Sequence, residues 1–176
     1  QDRLDPIGVF ANLTPVRRRH SNRPPRVGGD VGVAPRASLA MSDRTLVLLK
    51  PDTVERGLVG EVLRRFEAKG LSIAAMDLRS LDVDTLARHY EEHVGKGFYA
   101  DLVSFMSRGP VVALVLEGPE DTWDVVRTLV GATNPRKAAP GTIRGDLGIL
   151  FTENLVHGSD SLESAQREIA IFFPNL

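Results

Sequence analysis

The chain has 176 residues, ordinary apolar and charged fractions and no cysteine. That suits one domain with a sizeable core and excludes disulfides, thiol catalysis and cysteine-ligated zinc. The net charge of -1 hides an asymmetry: residues 1–40 carry seven arginines against three aspartates, and residues 41–176 carry 15 basic against 20 acidic side chains. The second part is therefore a poor general binder of nucleic acid, although a local basic cleft is allowed.

Residues 1–40 have five prolines, four glycines, the run Arg17-Arg18-Arg19-His20 and no helical or strand period. This composition predicts a disordered N-terminal extension. A mitochondrial transit peptide is the rival reading, since such peptides are arginine-rich, but Asp2, Asp5, Asp30 and the prolines weigh against it. Met41 stands just before the first convincing strand, so the expectation is a functional protein starting there and a folded domain over 41–176. No apolar run approaches the roughly 20 residues of a membrane-spanning helix.

Thr45–Lys50 is a nearly continuous apolar strand stopped by Pro51, as expected of a central strand covered on both faces. After a turn at Pro51-Asp52-Thr53, Val59, Val62, Leu63 and Phe66 repeat at helical spacing up to Gly70. Leu71, Ile73, Ala75 and, less regularly, Leu78 mark a second strand. Asp84 is a candidate cap for a helix carrying Leu86, His89, Tyr90 and His93. Gly95-Lys96-Gly97 breaks that helix, and Phe98, Leu102, Phe105 and Met106 stripe another. Val111–Leu116 is a third strand, and Trp123, Val126, Leu129 and Val130 form a helix ending at Gly131. Residues 132–142 make a proline-containing loop long enough for a binding role. Ile149-Leu150-Phe151 is assigned to a fourth strand. A last helix over about Ser161–Phe172 turns Leu162, Ala165, Ile169 and Phe172 to the core, with Glu168 beside that stripe and facing whatever precedes the helix. The order predicts a ferredoxin-like βαββαβ α/β sandwich, a four-stranded antiparallel sheet with added helices. A small doubly wound sheet is the alternative.

Neither a phosphate-binding P-loop nor a dinucleotide fingerprint is present. His89 and His93, four residues apart, have the minimum geometry of a metal pair, and the surrounding apolar pattern gives an equally good packing account. His157, followed by Gly158, Ser159, Asp160 and Ser161, is either a polar residue before a helix or a nucleophile, since imidazole is substantially unprotonated at neutral pH. Asp160 and Ser161 are both good helix caps, and Asp160 with Glu163 has capping-box spacing. Lys50, Arg127, Thr133, Arg144 and Asn154 form a scattered polar set whose cations and hydroxyl suit phosphate. Lys50 is the hardest to dismiss, because a lysine ending a buried strand must reach water or an anion.

With these residues in view, the chain resembles the nucleoside diphosphate kinases over about Arg44–Pro174. The most specific segment is Asn154-Leu155-Val156-His157-Gly158-Ser159-Asp160-Ser161. It is supported by Thr45 to Asp52, Arg56 to Gly60, Ser107 to Val112, Thr133-Asn134-Pro135 and Pro140 to Asp146. The resemblance implies ping-pong exchange of the terminal phosphoryl group between nucleoside triphosphates and diphosphates such as ATP and GTP. His157 would be the nucleophile through Nδ1, with Glu168 and Ser159 orienting and polarising it. Lys50, Tyr90, Arg127, Thr133, Arg144 and Asn154 would hold phosphate or ribose, and Phe98 would stack on the base. Mg2+ would arrive on the nucleotide, with Asp160 nearby through water, and there would be no metal cage of protein side chains. The resemblance further implies a homo-oligomer, a hexamer over a tetramer, with the Ala132–Arg144 loop helping trimer contacts. It also implies a cytoplasmic protein without membrane or specific nucleic-acid partners, similar to short-tailed actinobacterial members. Thr53 departs from the glycine many members carry after Pro-Asp, and no catalytic consequence is expected of it. The alternatives are a kinase-fold regulatory protein that binds a partner or nucleic acid, and a different histidine-dependent phosphotransferase.

Overall fold

The computed structural model describes residues 43–176, so the expectations for residues 1–40 and for the start at Met41 lie outside the described residues. Four strands, β1 (Asp43–Leu49), β2 (Ser72–Arg79), β3 (Val111–Gly118) and β4 (Val156–Gly158), form one sheet in the order β2-β3-β1-β4. Every pairing is antiparallel. This is the ferredoxin-like arrangement, and it excludes the doubly wound alternative, whose sheet is parallel.

The central strand β1 explains its own unbroken apolar run. Leu46 and Leu48 join one core cluster, while Val47 and Leu49 join the other on the opposite face. Successive side chains leave a strand on opposite faces, so a strand covered twice needs no polar alternation. One face is closed by α2 (Val59–Ala68) through Val62 and Phe66 and by α5 (Thr122–Val130) through Val126 and Val130. The other is closed by α3 (Val83–His89), α4 (Tyr99–Ser107) and α7 (Leu162–Phe172), which contribute Leu86, Phe105, Met106 and Phe172. A register shift between Ile73 and Ala75 accounts for the irregular pattern of β2.

Several local expectations are corrected. Pro51–Glu55 is a one-turn helix, α1, with proline in the first turn where its missing N–H costs nothing. Asp82, rather than Asp84, caps α3 by accepting from the Thr85 amide. Phe98 precedes α4 rather than striping it, and both Phe98 and Leu162 are exposed rather than core residues. Ser161, one of the two candidate caps, is the cap of α7 and accepts from the Ser164 amide, so the Asp160–Glu163 capping box does not form. Ile149, Leu150 and Phe151 form no strand and are 67%, 50% and 64% exposed. The fourth strand instead begins at Val156, so His157 is a strand residue opposite Leu48 of β1.

Candidate active site

The strand and the last helix bring the reactive-looking groups together. His157 is presented by β4 and Glu168 by α7, and the Nε2 of His157 lies 3.0 Å from Oε2 of Glu168. Ser159 donates its hydroxyl to the same oxygen at 2.7 Å. Glu168 is buried, which opposes its charge, but its hydrogen bond and electrostatic attraction with His157 and its hydrogen bond with Ser159 outweigh burial and hold its carboxyl below the usual range. An ionised carboxylate only accepts, so Nε2 of His157 carries the proton and Nδ1 keeps the lone pair.

His157 and Glu168 open onto a cavity of about 640 Å³. Lys50, Tyr90, Phe98, Arg127, Thr133, Arg144, Asn154 and Asp160 also line it, so the residues singled out from sequence share one cleft, with Ser159 immediately behind it. Lys50 follows β1 and is buried, its Nζ 2.7 Å from Oδ1 of Asn154. Burial, helped by the Arg144 guanidinium and opposed by Asp52, lowers the Lys50 pKa to about 8. Asn154 in turn donates to the Thr133 carbonyl at 3.0 Å. Arg144 sits on α6 (Ile143–Leu147), bound to the carbonyls of Gly131, Asn154 and Val156. Burial and the neighbouring Arg127 depress its pKa to about 10. Gly131 ends α5 at φ +87°, where a Cβ would also lie 2.5 Å from the Thr142 hydroxyl. Only glycine passes α5 into this loop without strain. Phe98, 52% exposed, stands at the cavity's rim with an apolar face towards solvent.

His89 and His93 do not form a metal pair. His93 lies in a 3-10 turn, stacked on Tyr90, whereas His89 is buried against Tyr90, His157 and Phe172. Burial, reinforced by His157, lowers the His89 pKa to about 3, so its 3.9 Å approach to Glu168 involves a neutral ring and is no ion pair. Neither His89 ring nitrogen has a hydrogen-bond partner. Among the described residues the one His/Cys/Asp/Glu cluster compact enough for an ion is His89, His157 and Glu168. That set is imidazole-rich and unlike the all-oxygen shell magnesium takes.

Three contacts have no counterpart in the sequence reading. Asp52 accepts the Leu155 amide at 3.0 Å, Thr53 donates to the Leu155 carbonyl at 2.6 Å, and His89 packs edge-on against His157. Leu155 has φ +72°, and the Val156 amide donates to the Asn154 carbonyl across it. An i to i+2 bond with a positive central φ marks a rare, strained γ-turn. The departure of Thr53 from glycine was the only signal in the sequence.

Comparison with known proteins agrees with this geometry. The family model described as nucleoside diphosphate kinase matches residues 43–176. A nucleoside diphosphate kinase of a Nocardioides species is 62% identical over 136 residues, covering 77% of this chain and all of the relative. One from Streptomyces avermitilis is 62% identical over 76% of this chain and 98% of the relative. Among solved structures, a halophilic nucleoside diphosphate kinase from Halobacterium salinarum in complex with CDP superposes with TM-score 0.74 at 46% identity, covering 77% of this chain and 90% of that one. A family member from Babesia bovis superposes at 0.72 and 48% identity, covering 74% and 88%. The chain belongs to the nucleoside diphosphate kinase family and is an enzyme of the actinobacterial type.

Proposed function

We propose that the chain exchanges terminal phosphoryl groups between nucleotides by a two-stroke reaction through His157. The Nδ1 lone pair attacks the γ-phosphorus of a nucleoside triphosphate. The bond from phosphorus to the bridging oxygen breaks, and the nucleoside diphosphate leaves with that electron pair. A second diphosphate then attacks the phosphohistidine through a terminal oxygen and restores the imidazole. One site serves donor and acceptor in turn because the intermediate is covalent. The observation that carries this reading is the Ser159–Glu168–His157 hydrogen-bonded chain at a cavity lined by three cations.

Each neighbour has a part. Glu168 fixes the ring and stabilises the imidazolium that forms, and Ser159 holds Glu168. Lys50, Arg127 and Arg144 offset phosphate charge, as fixed donors lining the cleft. Tyr90, Thr133 and Asn154 orient phosphate and ribose, and Phe98 offers a stacking face that reads little of base identity. The CDP complex of the halobacterial relative supports a nucleotide as ligand. Magnesium would fit only as a nucleotide-borne ion, with Asp160 as the nearby carboxylate. Its pKa is lowered by a hydrogen bond with Ser164, so it is available as an anion. The ion would neutralise phosphate charge.

Exposed Ile149, Leu150 and Phe151, close in sequence to the Ala132–Arg144 loop, support a homo-oligomer that buries them; the preference for a hexamer over a tetramer rests on the family resemblance alone. Work on the nucleotide pool implies a cytoplasmic location. Incubation with ATP radiolabelled in its γ-phosphate should leave an acid-labile, alkali-stable label that chases to added diphosphate. An unlabelled wild type, or full labelling of His157→Ala, refutes the mechanism.

A further inference from the structure

The γ-turn at Leu155 carries Asn154 on one side and β4, with His157, on the other. Leu155 is fully buried, and its positive φ is unfavourable for a leucine. Three groups on the segment after β1 hold it. The Lys50 amide reaches the Leu155 carbonyl at 2.8 Å, the Asp52 carboxylate takes the Leu155 amide at 3.0 Å, and the Thr53 hydroxyl reaches the same carbonyl at 2.6 Å.

The last contact is the unusual one. A helical threonine commonly turns its hydroxyl back to a carbonyl three or four residues earlier. Thr53, in α1 and with no exposed surface, instead reaches across 102 positions of sequence to the strained turn. Neither glycine nor alanine makes that bond. We propose that the Thr53 hydroxyl is a positioning group for phosphoryl transfer, locking the Leu155 turn so that Asn154 meets Lys50 and His157 meets its substrate. This rests on His157 being the phosphoryl acceptor. Because Lys50 and Asp52 still grip the turn when the hydroxyl is lost, the chain keeps its fold and loses aim.

The test compares Thr53→Val, which keeps the shape, with Thr53→Ser, which keeps the hydroxyl. The readouts are the single-turnover rate of His157 phosphorylation at saturating ATP, the KM, and the folded fraction by circular dichroism. One hydrogen bond corresponds to roughly a two- to twelve-fold change in rate. Thr53→Val should lose that factor mainly in the saturated rate per folded molecule, and Thr53→Ser should stay within about twofold of wild type. Should Thr53→Val fail to fold, Thr53→Ala is measured in the same way. An unchanged rate in the hydroxyl-free variant overturns the proposal, as does equal impairment of Thr53→Ser or collapse of both hydroxyl-free variants. Failure of the wild type to phosphorylate overturns the assignment of His157 instead.

Discussion

Glu168→Gln is the substitution that separates orientation of the nucleophile from binding of the nucleotide. One carboxylate oxygen takes both the His157 Nε2 proton at 3.0 Å and the Ser159 hydroxyl at 2.7 Å, in a residue only 4% exposed. In the proposed mechanism the ring becomes cationic as Nδ1 bonds to phosphorus, so the His157–Glu168 contact would turn into an ion pair in the transition state. Glutamine keeps an acceptor of the same shape but no charge. Hydrogen bonds with charged partners contribute about 1.5–3 kcal/mol, which corresponds to roughly a 10- to 150-fold slower phosphorylation. The bond strengthens only as charge develops, so kcat should fall far more than KM rises. Rapid-quench measurement of the labelled protein reads the step directly. A rate within about twofold of wild type, or a loss confined to KM, refutes the reasoning.

Two predictions concern pH. With its folded pKa near 8 against the ordinary lysine value of 10.5, Lys50 binds fewer protons folded than unfolded between those limits, so its contribution to stability rises with pH there. Binding runs the other way: kcat/KM should bend downward above about pH 8 as the ammonium is lost, and Lys50→Met should be low and lack that bend. An identical bend in the variant contradicts the assignment. His89, with a folded pKa near 3 against 6.5, stays neutral while the unfolded ring protonates, so stability should drop as pH falls through that interval. Urea unfolding at several pH values should show a shallower acid loss in His89→Phe, and parallel curves for both proteins contradict this.

Elements with a strong local cause were legible in the sequence. The apolar run from Thr45 to Leu49 gave away a doubly covered strand. Glu168, adjacent to the α7 stripe rather than opposite it, turns towards the preceding segment as that placement predicts, and it is buried outright where partial burial is expected. Lys50 had no way to be comfortable at the end of such a strand without a polar partner, and Asn154 is that partner. What failed was decided by distant chain. Ile149-Leu150-Phe151 looks like a strand by composition, but β1 pairs with residues after the Leu155 turn, leaving the trio exposed. A three-residue strand is too short to show a period. Asp52 and Thr53 act on a residue more than a hundred positions away, and no local pattern announces such contacts. The spacing of His89 and His93 suggested a shared face, yet α3 ends at His89 and places the two rings in different surroundings.

The central claim is that His157 itself carries the phosphoryl group, on the nitrogen that Glu168 leaves free. Phosphorus NMR of the protein after reaction with ATP, with the modified residue mapped by mass spectrometry, tests it most directly. The account predicts a phosphoramidate on Nδ1 of His157 that disappears when a nucleoside diphosphate is added. A phosphate on Nε2, on another side chain, or one that no diphosphate removes would contradict it.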